Sequence, residues 1–287
     1  MTDEASDPVG SGRSVDQRHD ETALPRIGIG TYEVEPDPCT RAVRTALEYG
    51  YRHVDTAEMY DTERAVGRAI ELADVDRDAV FVATKVHSRN LAPGDLIEAA
   101  RASREKLGVD VIDLCYVHWP IRAYDPEGTL GAMDELHERG VIRHVGLSNF
   151  TPALLEEALE HLEAPLFAHQ VECHPLLQQT ALRRYAREDG HSLVAYSPLA
   201  KGRITAVPEL REIAAEYDST PAQVALAWLH DKERVVPIPK STTPAHIREN
   251  YEAAQLELDA AAIERIDAIE RTERVVDFPG APWNDRA

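Results

Sequence analysis

From residue 26 onward, short apolar runs alternate with stretches whose apolar residues recur at helical spacing. Eight runs read as strands, at residues 26–32, 52–55, 80–85, 114–118, 144–148, 168–172, 193–197 and 235–238. Between them, stretches such as 42–48, 63–72, 96–107 and 154–161 carry an apolar face of helical period. Every connection is long enough for a helix and too long for a hairpin. Alternating strand and helix predicts a parallel sheet with right-handed crossovers, and eight repeats predict closure into a (β/α)8 barrel. Two helical stretches, 208–217 and 221–232, precede the eighth strand. After it come 244–255 and then 259–269, where one helix is read as surplus to an eightfold repeat. Thr151-Pro152, Thr220-Pro221 and Thr243-Pro244 read as N-caps followed by a proline in the first turn.

Residues 1–21 hold almost no large apolar side chain and are expected to form a disordered acidic tail, leaving 22–287 as one domain. The 287 residues are 43% hydrophobic, which suits a single barrel of about 250 residues. No apolar run is long enough for a membrane helix and the N-terminus lacks a secretory pattern, so a cytoplasmic protein is expected. Three scattered cysteines form no disulfide framework or zinc motif, and no His-Glu-x-x-His occurs, so no metal is implied. Acidic residues outnumber basic ones 51 to 31, a net charge of −20. Such a surface repels nucleic acid and anionic membranes. It also repels itself until salt screens it, which suggests a salt-rich host cytoplasm. No heptad or repeated interface pattern stands out, so a monomer is the default.

The candidate chemistry lies at the ends of predicted strands. Asp55, Lys85 and His118 each close an apolar run, and Tyr60 follows Asp55 in the loop entering the next helix. In a barrel of this kind, chemistry sits at the C-terminal ends of the strands. Singly, each residue has a plain structural role: a strand-end Asp caps a helix, a loop Tyr packs, and a His lies satisfied in a core. An inward Lys at the end of an apolar strand is harder to dismiss.

Seven segments recur in the order found in the aldo-keto reductase family, which this chain resembles over roughly residues 22–287. They are Gly50-Tyr-Arg-His-Val-Asp-Thr-Ala-Glu-Met-Tyr60, Thr84-Lys85, Val117-His-Trp-Pro120, Gly146-Leu-Ser-Asn-Phe150, Gln170-Val-Glu-Cys-His-Pro175, Tyr196-Ser-Pro-Leu199 and Ile238-Pro-Lys-Ser241. The resemblance implies a nicotinamide-dependent reductase that turns aldehydes and ketones into alcohols. Tyr60 would be the general acid, Lys85 and Asp55 would lower its pKa, and His118 would orient the substrate oxygen.

The Gly-x-Gly-x-x-Gly fingerprint is missing after the first strand, so no Rossmann domain is expected. By resemblance, NADP(H) would lie across the barrel mouth. Gly30, Thr31 and Asp55 would border it, and Ser148, Asn149 and Gln170 would hold its carboxamide. Tyr196 would stack on the nicotinamide, and Ser197, Pro198 and Leu199 would flank the pyrophosphate. Lys240, Ser241 and Thr242 would clamp the 2′-phosphate, and Glu249 and Asn250 would meet the adenine. The family's arginine at the outer end of this clamp is replaced by His246, a weaker phosphate partner. NAD(H) is therefore expected to serve as well. Tyr32, His87, Trp119 and Phe150 would line the substrate mouth. Trp283 reads equally as a lid or as an anchor for the chain end. The same residues suit a polyol or sugar dehydrogenase working oxidatively, or a cofactor-sensing subunit of slow turnover.

Overall fold

The computed structural model describes residues 24–284. The expected tail over residues 1–21 lies outside that range. Eight parallel strands run in chain order around one sheet: β1 (Ile29–Gly30), β2 (His53–Asp55), β3 (Phe81–Val86), β4 (Ile112–Val117), β5 (Ile142–Ser148), β6 (Leu166–Glu172), β7 (Ser192–Tyr196) and β8 (Val235–Pro237). The sheet closes on itself. Gly28 N donates to Pro237 O (3.0 Å) and Gly30 N to Pro239 O (3.2 Å). The architecture is a (β/α)8 barrel, as the alternation predicts.

The closing seam explains why β1 has two residues instead of the seven expected. Its neighbour offers Pro237 and Pro239, which have no N–H, so the ladder runs in one direction only.

Ten helices pack outside the sheet among the described residues: α1 (Pro36–Tyr49), α2 (Glu63–Leu72), α3 (Pro93–Leu107), α4 (Pro126–Glu138), α5 (Pro152–His161), α6 (Thr180–Asp189), α7 (Pro208–Glu216), α8 (Pro221–Asp231), α9 (Pro244–Glu252) and α10 (Ala260–Asp267). Two are surplus to the eightfold repeat, one before β8 and one after it, where the sequence marks one. Seven begin with proline, whose fixed φ suits the first helical turn. Thr151 caps α5 by accepting from Leu154 N, and Thr220 forms a capping box with Gln223. Thr243 makes no side-chain cap. Its own N–H donates to Ser241 Oγ at 3.1 Å instead. Among the described residues no helix is long and apolar enough to cross a membrane.

Two apolar layers follow from the period of two along each strand. Phe81, Ala83, Leu114, Tyr116, Ala168, Val194 and Val236 point into the barrel, while Val82, Cys115, Val145 and Val171 face the helices. The two layers tolerate few added atoms. In α2, alanine would favour the helix over glycine by about 1 kcal/mol. At Gly67, however, a Cβ would lie 2.5 Å from Leu107 O at the end of α3, so the glycine is a packing requirement. Inside the barrel, Gly146 leaves room for the Tyr116 ring, which a Cβ would meet.

Candidate active site

The parity that points Phe81 and Ala83 inward also points Lys85 inward, at the C-terminal end of β3. The same rule carries Asp55, His118, Gln170 and Tyr196 to one end of the barrel lumen. Lys85 Nζ donates to Asp55 Oδ1 at 2.5 Å and to Thr56 O at 2.7 Å. The other carboxylate oxygen, Asp55 Oδ2, accepts from Gln170 Nε2 at 2.7 Å. Lys85 and Asp55 are 1% and 2% exposed, so this pair sits in a dry place. Such a pair is tolerated when its remaining hydrogen-bonding capacity is met, as it is here.

Tyr60 closes a short 3-10 turn, Glu58–Tyr60, that ends at Asp61 in the left-handed region (φ 56°). Glu58 ties that turn to the loop after β3, accepting from His87 N (2.8 Å) and Asn90 Nδ2 (2.6 Å). The turn sets the Tyr60 ring 5.2 Å from Lys85 Nζ and edge-on to His118, with centroids 5.7 Å apart. The four residues singled out from the sequence thus meet at one end of the barrel.

Burial pushes the Tyr60 phenol well above its ordinary pKa, and the nearby Asp55 charge pushes it further the same way. This corrects the expectation that Lys85 acidifies the resting phenol. Asp55 takes up the charge of Lys85 at contact distance, and desolvation is what remains for the tyrosine. Burial lowers Lys85 from its usual value, with Asp55 opposing. Burial, then the Lys85 charge, holds His118 well below the usual imidazole range, so its ring is neutral at pH 7.

The residues assigned by resemblance to the cofactor fall into two groups. At the inner end, Ser148 Oγ donates to Gln170 O (3.0 Å), and Asn149 Nδ2 donates to His118 O and Ser148 Oγ (each 3.0 Å). Asn149 Oδ1 accepts from Tyr196 OH at 2.8 Å. Asn149 takes a left-handed φ of 66°, which asparagine tolerates better than most residues. Tyr196 keeps part of its ring exposed, beside fixed amide and hydroxyl groups. After it, Ser197, Ala200 and Lys201 adopt positive φ in a tight turn that contains Pro198 and Leu199.

The outer group lies where β8 enters α9. Lys240, Thr242 and His246 are exposed, Ser241 and Glu249 are partly buried, and Asn250 is buried. The Lys240 stem lies beside Gly30. Thr31 Oγ1 donates to Asp55 O at 3.1 Å, in a hydroxyl chain with Thr62 and Thr56, so Thr31 braces the strand that carries Asp55. Arg248, two residues past His246, lies 3.7 Å from Glu252 on its own helix. An aromatic face with amides at one end, and an ammonium with hydroxyls at the other, fit a nicotinamide dinucleotide.

The mouth is aromatic. Tyr32 is 42% exposed and lies 5.1 Å from the Tyr60 ring. His87 and Trp119 are partly exposed, and Trp119 meets Phe278 and Trp283 at 4.9 and 5.5 Å between centroids. Trp283 therefore packs onto the mouth. Phe150 is a correction. It is 2% exposed and edge-on to Tyr124 and His169, in the layer outside the barrel. A small cavity of about 150 Å³ lies between Phe150, Leu182, Arg274 and Trp283.

Four buried carboxylates besides Asp55, namely Glu63, Asp113, Asp134 and Glu172, were not singled out from the sequence, and two of them bear on the site. Glu63 accepts from Thr84 Oγ1 (2.7 Å) and Lys106 Nζ (3.2 Å) behind β3. Glu172 is fully buried at the end of β6. Position on an inward parity was a usable mark for Glu172. Nothing local marks Glu63. Among the described residues no cluster of three or more His, Cys, Asp or Glu side chains is placed to hold a metal ion.

This barrel, with a buried acid–base cluster at the strand ends, defines an oxidoreductase class. A sequence profile of the aldo/keto reductase family matches residues 26–271. Methylglyoxal reductase DkgB of Escherichia coli O157:H7 is 36% identical over 261 residues, covering 90% of this chain and 97% of that protein. The 9,11-endoperoxide prostaglandin H2 reductase of Trypanosoma cruzi is 35% identical, covering 90% of this chain and 92% of its own. The aldose reductase structure from Schistosoma japonicum superposes with a TM-score of 0.85 at 29% identity, covering 92% of this chain and 97% of that one. The chain belongs to the aldo/keto reductase family. The profile stops short of the segment that carries Phe278 and Trp283.

Three buried histidines, His118, His169 and His191, and the partly buried His230 give this fold an acid limit. His118 and His191 are depressed by burial, and burial takes His169 down to about 3 and His230 to about 4. They stay neutral in the folded state while the unfolded chain binds protons below about pH 6.5. Their stabilisation is therefore full above that pH and is lost as pH falls towards 4. Urea midpoints should drop between pH 7 and pH 5, as the unfolded chain takes up protons that the folded histidines refuse. An unchanged midpoint would contradict neutral burial.

Proposed function

We propose that this enzyme reduces aldehydes and ketones to alcohols with a reduced nicotinamide dinucleotide, NADPH first. The observation that carries the reading is the convergence of Tyr60, Lys85, Asp55 and His118 at one end of the barrel lumen. A reduced nicotinamide dinucleotide held there would supply hydride to the carbonyl carbon. Tyr60 holds the proton destined for the oxygen. A phenol held above its ordinary pKa remains acidic enough, because an alkoxide is comparable in basicity to hydroxide, a far stronger base than phenolate. The ammonium of Lys85 then steadies the phenolate left behind, and Asp55 keeps Lys85 charged in its dry site. Neutral His118 offers one N–H to orient the oxygen.

In this reading Ser148, Asn149 and Gln170 flank the carboxamide, Tyr196 backs the nicotinamide ring, and Gly30 and Thr31 brace the neighbouring edge. Ser197, Pro198 and Leu199 border the pyrophosphate, while Glu249 and Asn250 face the adenine. Lys240, Ser241 and Thr242 take the 2′-phosphate. His246 lacks a guanidinium fork and Arg248 turns towards Glu252, so selectivity for NADPH is modest. The similarity to a methylglyoxal reductase and to an aldose reductase supports small aldehydes and sugar carbonyls as substrates.

Tyr60→Phe should lose most carbonyl reduction in a steady-state assay and keep its affinity for NADPH. Retained turnover would remove Tyr60 from the mechanism. In the wild type, kcat/KM with NADPH and with NADH should differ by less than about a thousandfold, or about 4 kcal/mol. A larger ratio would contradict the role given to His246.

The net charge of −20 supports a salt-rich cytoplasm as the working medium. Screening shortens to about 3 Å near 1 M salt, where surface repulsion fades. Unfolding midpoints should rise steeply between about 0.1 M and about 3 M KCl. A flat response would exclude this adaptation.

A further inference from the structure

One carboxylate ties down the end of the described chain. Glu172 is 0% exposed. Its Oε1 accepts from His174 Nε2 (3.0 Å) and Val275 N (2.7 Å), and its Oε2 accepts from Val276 N (2.8 Å). Next to them, Glu273 N donates to Leu176 O at 2.8 Å. A fully buried carboxylate is costly unless hydrogen bonds replace its water. Here two of its three donors are backbone amides more than a hundred residues away in the chain.

His174 Nδ1 is buried with no hydrogen-bond partner. The ring thus meets the carboxylate through Nε2 alone. The anion is therefore held by N–H dipoles, and the two amides of the end segment are integral to its burial.

The segment beyond this tie reaches the mouth of the site. The Arg274 guanidinium stacks 3.8 Å from the Trp283 ring, and Trp283 Nε1 donates to Asp277 Oδ1 at 2.9 Å. Phe278 and Trp283 then pack on Trp119, the residue after His118. A continuous line of contacts joins a buried carboxylate on β6 to the aromatic wall of the mouth.

We propose that Glu172 is a positioning residue: it clamps residues 275–276 and so sets Phe278 and Trp283 as one wall of the carbonyl pocket. The inference rests on the reductase reading above. Glu172 tunes the binding of bulky carbonyls and leaves proton and hydride transfer to the groups around Tyr60.

Glu172→Gln keeps the side-chain size and removes the charge. Hydrogen exchange at the Val275 and Val276 amides should speed by at least about tenfold, while exchange within β6 stays as it was. KM for a bulky aromatic aldehyde should rise about tenfold with kcat within about twofold and NADPH affinity unchanged. Trp283→Ala should raise the same KM, and Glu172→Gln should add little in that background. Unaltered exchange, additive effects of the two variants, or a fall in kcat matching the change in KM would each overturn the clamp. Should Glu172→Gln fail to fold, Val276→Pro removes one clamped amide and leaves the carboxylate. It should speed exchange at Val275 and raise the same KM, and no change in either would overturn the proposal. If exchange speeds as expected but no carbonyl is reduced by any form, the clamp stands and the reductase reading falls.

Discussion

The structure turns on an ion pair that water does not reach. Lys85 and Asp55 face each other at 2.5 Å near the top of the barrel, and each would be costly there without the other. Removing one partner from such a pair costs about 3–5 kcal/mol, because the survivor is left charged and unpaired. The pair also recruits its surroundings. Gln170 comes from β6, and the Thr56 carbonyl from the residue after β2, so three strands must be in register before both charges are satisfied. The pair is thus a constraint on closure of the barrel as much as a chemical device.

That constraint changes how the tyrosine works. A lysine whose charge is fully engaged by a carboxylate exerts little net pull on a phenol 5.2 Å away. Burial then dominates, and the proton stays on Tyr60 in the resting protein. In the proposed reduction this is an advantage, since the acid is loaded whenever substrate arrives. The ammonium matters at the later moment, when the phenol has become a phenolate. Another buried carboxylate, Glu172, plays a comparable structural part at the end of β6, where backbone amides replace lysine as its partners.

Much of this was legible in the chain. The alternation of strand and helix gives the barrel, and the period of two within strands puts Asp55, Lys85 and His118 on the inner face at the productive end. What was not legible depends on contacts distant in sequence. The shortness of β1 follows from prolines in and just after β8, more than two hundred residues on. The first turns of α1 and α3 begin at Pro36 and Pro93, ahead of the periodic stretches, because proline starts a helix before its apolar face repeats. Glu58, Glu63 and Glu172 look like any of 51 acidic residues until their partners arrive from other elements. The direction of the Tyr60 shift could not be read either, because the sequence shows a nearby lysine and not which group holds its charge.

The direct measurement is a spectrophotometric titration of tyrosinate in the wild type, with the Tyr60→Phe titration subtracted to isolate Tyr60. If Asp55 takes up the charge of Lys85 and burial governs the phenol, the difference stays flat up to at least about pH 10, the ordinary tyrosine value. A Tyr60 tyrosinate appearing between about pH 7 and pH 9 would mean that the ammonium acts on the resting phenol after all, and would contradict the account.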